Sequence, residues 1–188
     1  MVLEYNHPDC ETTLVRILLD RGVAIVQCDT IYGFVGVAPE TERRINKIKG
    51  RQKGKPYLQL IPSKTWIPLF SDFIVPSSLA VLWPGPLTLI IPGIAGGTIG
   101  LRVPDDPFLQ KILMSIQKPL YSTSVNREGE KPMSRISEII AAFEQEVDII
   151  VHSGDSTDSI PSTIVDLTSS PYRIIRQGSL VIPRDIIP

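Results

Sequence analysis

The chain has 188 residues, of which 43% are hydrophobic and 21% are charged. This balance predicts one compact globular domain over residues 1–188 with a sizeable core. The sequence holds no apolar run near the roughly 20 residues that a membrane-spanning helix needs, and its acidic, polar start is unlike a signal peptide. Its two cysteines, Cys10 and Cys28, lie far apart, which indicates neither a disulfide framework nor a zinc site. We expect a cytoplasmic protein.

The overall charge is close to neutral. A formal net charge of −1 and an isoelectric point of about 6.1 argue against a generally basic surface for nucleic acids, although they are compatible with a local basic patch. The 17 prolines are spread along the chain, which is typical of rigid turns and strand ends rather than of a disordered linker.

The first predicted elements are a helix and a strand. Leu14, Ile17 and Leu18 share one helical face, so their spacing predicts a helix over 12–21. The apolar segment 23–27 predicts a buried strand, and the polar residues after it are interpreted as the exit of that strand.

The later elements follow from the same criteria. Further helices are predicted over 40–50, 77–83, 107–117 and 136–145. Further strands are predicted over 57–62, 87–92, 98–104, 119–124, 147–154, 162–168 and 172–178. Because helices and strands mix without strict alternation, the predicted fold class is α/β: a single domain with a twisted, mixed open sheet and flanking helices.

The common catalytic motifs are absent from the sequence. It has no GxxxxGK[ST], HExxH or GxSxG, and GIAGGTIG is not a GxGxxG between a strand and a helix. His7 and His152 are isolated, which is more typical of surface or structural histidines than of catalytic ones.

With those motifs excluded, the candidate functional groups are cations and hydroxyls close to predicted strand ends, where the ligands of open α/β sheets bind. Lys49 and Arg51 lie at the end of a predicted helix, and by themselves they are typical of a solvated basic loop. Arg102 lies in an apolar strand and needs an anionic partner or a route to solvent. Ser162 opens a strand and Arg176 closes one. Together these groups suit a small anion-rich ligand, such as a nucleotide bound without a Walker loop.

The segment PLYSTSVNREGEKP, residues 119–132, is the other unusual feature. Its apolar run breaks into Ser122, Ser124 and Asn126. Small hydroxyls let a ligand approach the backbone while they donate hydrogen bonds to it. The alternative is a serine-rich turn in which Asn126 and Gly129 serve only the backbone geometry.

Several segments resemble, in their order, the YrdC/Sua5/TsaC family: CDTIYGF, KGR, WPGPLT, TIGLRVP, STSVN, PSTIVD and IIRQG. The resemblance runs from about Val23 to Gly178. It implies an open YrdC-like fold in the short, single-domain form and the activity of a threonylcarbamoyl-AMP synthase, which is a nucleotidyltransferase. Such an enzyme joins L-threonine, bicarbonate and ATP, with Mg²⁺ on the leaving pyrophosphate. Its product serves the N6-threonylcarbamoyladenosine (t6A37) modification of tRNA.

The resemblance also implies residue roles. Lys49 and Arg51 would be catalytic, holding the triphosphate at the surface of a pocket. The groups that would bind ATP are Lys49, Arg51, Thr98, Ser124, Asn126 and Arg176, with Asn126 orienting its loop. The groups that would bind threonine are Cys28, Arg102, Ser122 and Ser162. No residue is assigned to a metal, and Trp83 would pack beneath the WPGPLT turn.

Two positions depart from the family pattern. Cys28 stands where the family has a threonine that helps to bind L-threonine. Because a thiol is a weak hydrogen-bond donor, we expect weaker threonine affinity or selectivity. Gln52 follows the K-x-R segment, where the family has proline.

Two rival interpretations stay open. A non-catalytic module could use the same face to bind double-stranded RNA or tRNA, and salt-dependent RNA binding without nucleotide turnover would support it. A paralogue with an altered substrate would ordinarily lack K-x-R or S-x-S-x-N, and both are present. Besides its substrates, the expected partners of the enzyme are tRNA or downstream threonylcarbamoyl transferase proteins, and no membrane.

Overall fold

A computed structural model describes residues 1–51 and 56–183. The strands are β1 Val2–Glu4, β2 Ala24–Gln27, β3 Tyr32–Val37, β4 Leu58–Leu60, β5 Leu87–Pro92, β6 Thr98–Arg102, β7 Leu120–Ser124, β8 Ile149–His152, β9 Thr163–Asp166 and β10 Arg173–Arg176. The α-helices are α1 Cys10–Leu19, α2 Glu42–Lys49, α3 Ser77–Ala80, α4 Pro107–Ile116 and α5 Ile136–Phe143, and a 3₁₀ helix spans Lys64–Leu69.

The ten strands form one sheet in the order β1-β8-β2-β3-β7-β4-β6-β5-β9-β10. Four neighbouring pairs are parallel, namely β1–β8, β2–β8, β4–β6 and β5–β9. The other pairs are antiparallel, namely β2–β3, β3–β7, β4–β7, β5–β6 and β9–β10. The sheet is therefore mixed and open, with β1 and β10 at its edges, which confirms the predicted fold class.

The helices follow the predicted periodicity with small shifts at their ends. Helix α1 begins two residues before its predicted start and buries Cys10, Leu14 and Leu18, which repeat every four residues along one face. Helix α2 ends at Lys49 and is capped by Gly50. The φ of Gly50 is 65°, in the left-handed region that glycine adopts with little conformational strain. The predicted stop of that helix is thus confirmed.

Strand β3 was not predicted, and the interpretation of its first residues as the exit of the preceding strand is wrong. The chain instead turns back tightly: Gln27 pairs with Tyr32, and the Cys28 N–H donates to the Ile31 carbonyl at 3.1 Å. The segment YGFVGV contains two glycines, which weaken a strand pattern in the sequence. Strand β1 and the 3₁₀ helix were also missed.

Three hydrophobic clusters fix which faces of the sheet are covered. Helices α1 and α4 pack on one face, over β2, β3, β7 and β8. Helices α2 and α5 cover the opposite face of the same strands. The third cluster includes Leu79, Trp83, Leu87 and Leu89 and covers that opposite face at β5, β6 and β9. The predicted packing of Trp83 is confirmed, and its Nε1 donates to the Leu87 carbonyl at 2.6 Å.

Within residues 1–51 and 56–183, the hydrophobic cluster that holds α1 and α4 on one face of the sheet does not extend to β5, β6 or β9. Leu87 and Leu89 of β5 point into the third cluster, whereas Thr88 between them faces the other way, because successive strand residues alternate. The face that carries Thr88 opens into a cavity. Within the described ranges, no helix is long and apolar enough to cross a membrane.

Candidate active site

The open face carries a cavity of about 310 Å³. Three arginines line it, and none of the described residues along its wall is acidic. The structure brings together these predicted site residues: Cys28, Arg51, Arg102, Ser122, Ser124, Ser162 and Arg176. Fixed cations beside hydroxyl donors suit an anionic ligand.

One side of the cavity is formed by β7 and the β2–β3 turn. Ser122 and Ser124 lie on the same face of β7, two residues apart. The turn places Cys28 Sγ 3.9 Å from Ser122 Oγ. Burial raises the pKa of the Cys28 thiol, although the charge of Arg102 opposes that rise. The thiol is therefore neutral at physiological pH and is not activated as a nucleophile.

Arg102 is the deepest charge in the cavity wall, with 3% of its side chain exposed. Its Nη2 contacts Asp29 Oδ1, and its Nη1 donates to Thr30 Oγ1 at 3.4 Å. Burial lowers the pKa of the guanidinium, but the ordinary value is so high that the group stays charged. A buried charge needs a partner, and here Asp29 is that partner.

Sequence reasoning missed Asp29. The available signal was an aspartate directly after a buried strand and a single arginine inside another apolar strand. Buried charged residues are usually paired, so Asp29 and Arg102 could have been assigned to each other. The sequence does not reveal that the β2–β3 turn and β6 meet.

Arg176 reaches the cavity from the edge strand β10, and Ser162 holds it there. Arg176 Nε donates to the Ser162 carbonyl at 2.9 Å, and Nη2 donates to Ser162 Oγ at 3.1 Å. Ser162 Oγ also lies 3.0 Å from Thr88 Oγ1. Burial lowers the pKa of Arg176. The guanidinium is thus oriented by protein groups before any ligand binds.

Arg51 lies on the opposite side of the cavity. Its guanidinium carbon stacks 4.5 Å from the centre of the Tyr57 ring, a cation–π contact. Its Nε lies 4.0 Å from Glu128 Oε2, and 12% of the Arg51 side chain is exposed. Arg51 is therefore placed at the pocket surface, as expected.

Lys49 is buried, with a relative exposure of 2%, so the expectation that it lies at a pocket surface is wrong. Its ammonium donates to the carbonyls of Ser124 and Asn126 at 2.7 and 3.0 Å, and to Asn126 Oδ1 at 2.9 Å. These bonds use all the donors of an ammonium group. Burial lowers the pKa of Lys49 to about 8, with nearby Glu128 opposing and Arg51 adding to the shift.

Asn126 also lies behind the cavity wall rather than on it. Its Oδ1 accepts from Ser124 Oγ at 2.6 Å, and its Nδ2 donates to the carbonyls of Arg127 and Glu130 at 2.7 and 3.0 Å. Together with the bond from Lys49, these contacts fix the loop after β7. They thereby fix the direction of the Ser124 hydroxyl.

The remaining predicted positions lie elsewhere. Thr98 is exposed and lines a separate cavity of about 450 Å³ with Tyr57 and Tyr121. Gln52 lies outside the described residues. Over residues 1–51 and 56–183, no three His, Cys, Asp or Glu side chains are grouped so that they could hold a metal ion.

A larger cavity of about 640 Å³ lies on the other side of the β2–β3 turn and is lined partly by Asp29. Its acidic groups already have partners: Glu4 pairs with His152 Nδ1 at 3.2 Å, and Asp106 Oδ1 accepts from the Leu109 N–H at 2.8 Å. As far as the structure describes the chain, this second cavity is lined by acidic side chains and by no arginine or lysine, so it suits an anion less well than the arginine-lined one.

The chain is similar to known proteins both in sequence and in fold. The chain is 29% identical over 182 residues to the "Putative threonylcarbamoyl-AMP synthase" of Methanocaldococcus jannaschii, with 91% of this chain and 86% of that protein covered. Pyrococcus abyssi Sua5 complexed with L-threonine matches at a TM-score of 0.85 and 21% identity, over 96% of this chain and 58% of that longer one. Escherichia coli YciO matches at a TM-score of 0.81 and 24% identity, over 95% of each chain.

A family model also matches most of the chain. The Sua5/YciO/YrdC domain model, described as "Telomere recombination", matches residues 16–178. This range covers every strand from β2 to β10, including all the residues that line the arginine-rich cavity. The chain therefore belongs to the Sua5/YciO/YrdC family.

Proposed function

We propose that the protein is a threonylcarbamoyl-AMP synthase, a nucleotidyltransferase that joins L-threonine, bicarbonate and ATP and releases pyrophosphate. A relative named for this activity and a solved relative that holds L-threonine support the proposal. The observation that carries it is the convergence of Arg51, Arg102 and Arg176 on one cavity beside serine hydroxyls. An amino-acid carboxylate and a triphosphate are both anionic, and this cavity complements both.

The three arginines divide the two anions between them in this proposal. Arg102 binds the threonine carboxylate, because its planar guanidinium matches a carboxylate and it lies beside Cys28 and Ser122. Arg51 and Arg176 line the same cavity and bind the phosphates. Threonine and the phosphates would then lie side by side, which is the arrangement that their condensation requires.

Lys49, Asn126 and Thr98 take indirect or peripheral roles. Lys49 and Asn126 act by holding Ser124 in place at the cavity, because Lys49 donates to its carbonyl and Asn126 Oδ1 accepts from its hydroxyl. Lys49 also adds a positive charge behind the phosphates. Tyr57 lines both the arginine-rich cavity and the one that holds Thr98. A nucleotide that extends past Tyr57 would therefore meet Thr98.

The proposed reaction has two steps. The threonine amine adds to CO₂, or to bicarbonate with loss of water, and gives a carbamate. A carbamate oxygen then attacks the α-phosphate of ATP, the bond from that phosphorus to the bridging oxygen breaks, and pyrophosphate leaves. Mg²⁺ enters with ATP as part of the substrate. The residues contribute positioning and charge neutralisation, and the neutral Cys28 thiol forms no covalent intermediate.

The product would serve the t6A37 modification of tRNA. A downstream threonylcarbamoyl transferase would receive the adenylate, and we place the reaction in the cytoplasm. Residues 1–188 would act as one YrdC-like domain. Neither the contacts in the cavity nor the relatives favour the RNA-binding module or the paralogue with another substrate.

The direct test is to incubate the protein with ATP, Mg²⁺, bicarbonate and radiolabelled threonine. We expect labelled threonylcarbamoyl-AMP together with one pyrophosphate per product. Omitting either threonine or bicarbonate should abolish pyrophosphate release. Equal release without threonine would exclude the synthase, and RNA binding without turnover would favour the non-catalytic module.

A further inference from the structure

Asp29 lies behind the arginine that we assign to the threonine carboxylate. Its Oδ1 contacts Arg102 Nη2, and its Oδ2 accepts from the backbone N–H of Asp105 at 3.2 Å. One carboxylate thus holds both the guanidinium on β6 and the segment that leads from β6 into α4. Only 7% of the Asp29 side chain is exposed.

The position of Asp29 separates it from the ligand. Asp29 lines the larger cavity on the far side of the β2–β3 turn, whereas Arg102 lines the arginine-rich cavity. The carboxylate therefore contacts Arg102 without occupying the space that a ligand would fill. Thr30, the next residue, accepts from Arg102 Nη1 and lines both cavities.

A guanidinium needs such a partner to bind a carboxylate in one orientation. Arg102 has several rotatable bonds, and a planar fork loses its advantage when its plane rotates. Groups that orient a binding residue commonly matter nearly as much as that residue itself. Among the described residues, Nη2 and Nε of Arg102 and Oδ1 of Asp29 are fully buried and make no other hydrogen bond, and Nη2 and Oδ1 face each other as an ion pair.

We propose that Asp29 is a positioning residue for substrate recognition: its carboxylate sets the plane of the Arg102 guanidinium and so determines the affinity for the amino-acid carboxylate. This inference rests on the proposed function, because it takes the ligand of Arg102 to be threonine. It assigns Asp29 no contact with either substrate and no role in phosphate binding.

The test compares Asp29→Asn with a matched control, Asp148→Asn. Asp148 Oδ2 pairs with Arg44 Nη1 at 2.5 Å and also accepts from the Val23 N–H at 2.7 Å, so it too links an arginine to a backbone amide. It does not line the arginine-rich cavity. Both changes remove a charge and keep the side-chain shape.

We expect Asp29→Asn to raise the KM for threonine by about tenfold to a hundredfold, the range typical of lost orienting partners, with the KM for ATP within about twofold of the parent value. Titration with threonine alone should show the same loss of affinity by calorimetry. Asp148→Asn should lower Tm without changing the ratio of the two KM values. Asp29→Glu, which restores the charge, should recover part of the threonine affinity.

Three results would overturn the inference. They are an unchanged threonine KM in Asp29→Asn, an equal rise in both KM values, and tighter threonine binding, which would make Asp29 a competitor for Arg102. If Asp29→Asn does not fold, Asp29→Glu decides, and a threonine KM equal to that of the parent refutes the proposal. A parent protein that neither binds threonine nor forms the adenylate would instead refute the proposed function.

Discussion

Lys49 and Asn126 are joined by two hydrogen bonds: the ammonium donates to the main-chain oxygen of Asn126 at 3.0 Å and to its side-chain oxygen at 2.9 Å. The lysine at the end of α2 is therefore part of the support of the loop after β7. A substitution at Lys49 should change the stability of the fold as well as the activity.

Lys49→Met should lower the free energy of unfolding by at least about 1.5 to 3 kcal/mol, the worth of a hydrogen bond to a charged group. The methionine keeps most of the apolar volume but leaves the Ser124 and Asn126 oxygens without their donor. Urea denaturation monitored by circular dichroism would measure the difference. Lys118→Ala is the control, because the exposed pair of Lys118 with Glu40 at 3.2 Å should contribute less than about 1 kcal/mol. If the two substitutions lower the free energy of unfolding equally, the buried hydrogen bonds of Lys49 stabilise the fold no more than the exposed ion pair of Lys118 does.

The lowered pKa of Lys49 predicts a pH dependence of stability. Burial lowers this pKa from the ordinary 10.5 to about 8, so between these values the unfolded chain binds more protons at this site than the folded protein. The free energy of unfolding contributed by Lys49 should therefore rise between about pH 8 and 10.5 and be constant below that window. The measurement is the difference between the unfolding free energies of the parent and of Lys49→Met across this range. If this difference in unfolding free energy does not change with pH, the three oxygen acceptors keep Lys49 protonated across the whole range.

Arg102→Lys should raise the KM for threonine more than the KM for ATP. Lysine keeps the positive charge but loses the planar fork, through which Arg102 contacts Asp29 with Nη2 and Thr30 with Nη1. Initial rates with each substrate varied in turn would give both constants. Arg51→Ala is the matched counterpart, with an expected loss of about tenfold to a hundredfold in kcat/KM for ATP, the worth of one charge-assisted phosphate contact. A selective rise in the KM for ATP in Arg102→Lys would assign Arg102 to the phosphates instead.

Cys28→Thr should lower the KM for threonine roughly two- to tenfold, because a neutral hydrogen bond contributes about 0.5 to 1.5 kcal/mol. The parent thiol makes only long contacts, at 4.0 Å to the Val26 carbonyl and 3.9 Å to Ser122 Oγ. Cys28→Ser is the control for crowding, since it gives the hydroxyl without the added methyl. If neither variant binds threonine better than the parent, position 28 does not contact the substrate.

Sequence reasoning succeeded where a local pattern determines the structure. The 3.6-residue periodicity predicted α1, and Gly50 predicted the end of α2. The strand predicted over 119–124 is β7, and Ser122 and Ser124 lie together on its cavity face. In each case the physical cause lies within about ten residues of the position concerned, so one segment of sequence is sufficient.

The errors have long-range causes. Lys49 ends a polar helix and is expected at a surface, but its oxygen acceptors come from the end of β7 and the loop after it, more than seventy residues later. Thr98 and Arg102 are close in sequence, yet they stand at opposite ends of β6 and line different cavities. Composition and spacing carry little information about such long-range contacts, because these contacts depend on the order of the strands in the sheet.

Strand β10 has one neighbour, β9, and it supplies Arg176 to the cavity from the edge of the sheet. When this edge frays, Arg176 leaves Ser162 and the cavity loses one of its three positive charges. In the proposed function, a triphosphate that binds Arg51 and Arg176 binds only the closed edge and would stabilise it by mass action. Amide hydrogens of β9 and β10 should then exchange more slowly as ATP is added, and the edge of the sheet would act as a thermodynamic sensor of nucleotide occupancy.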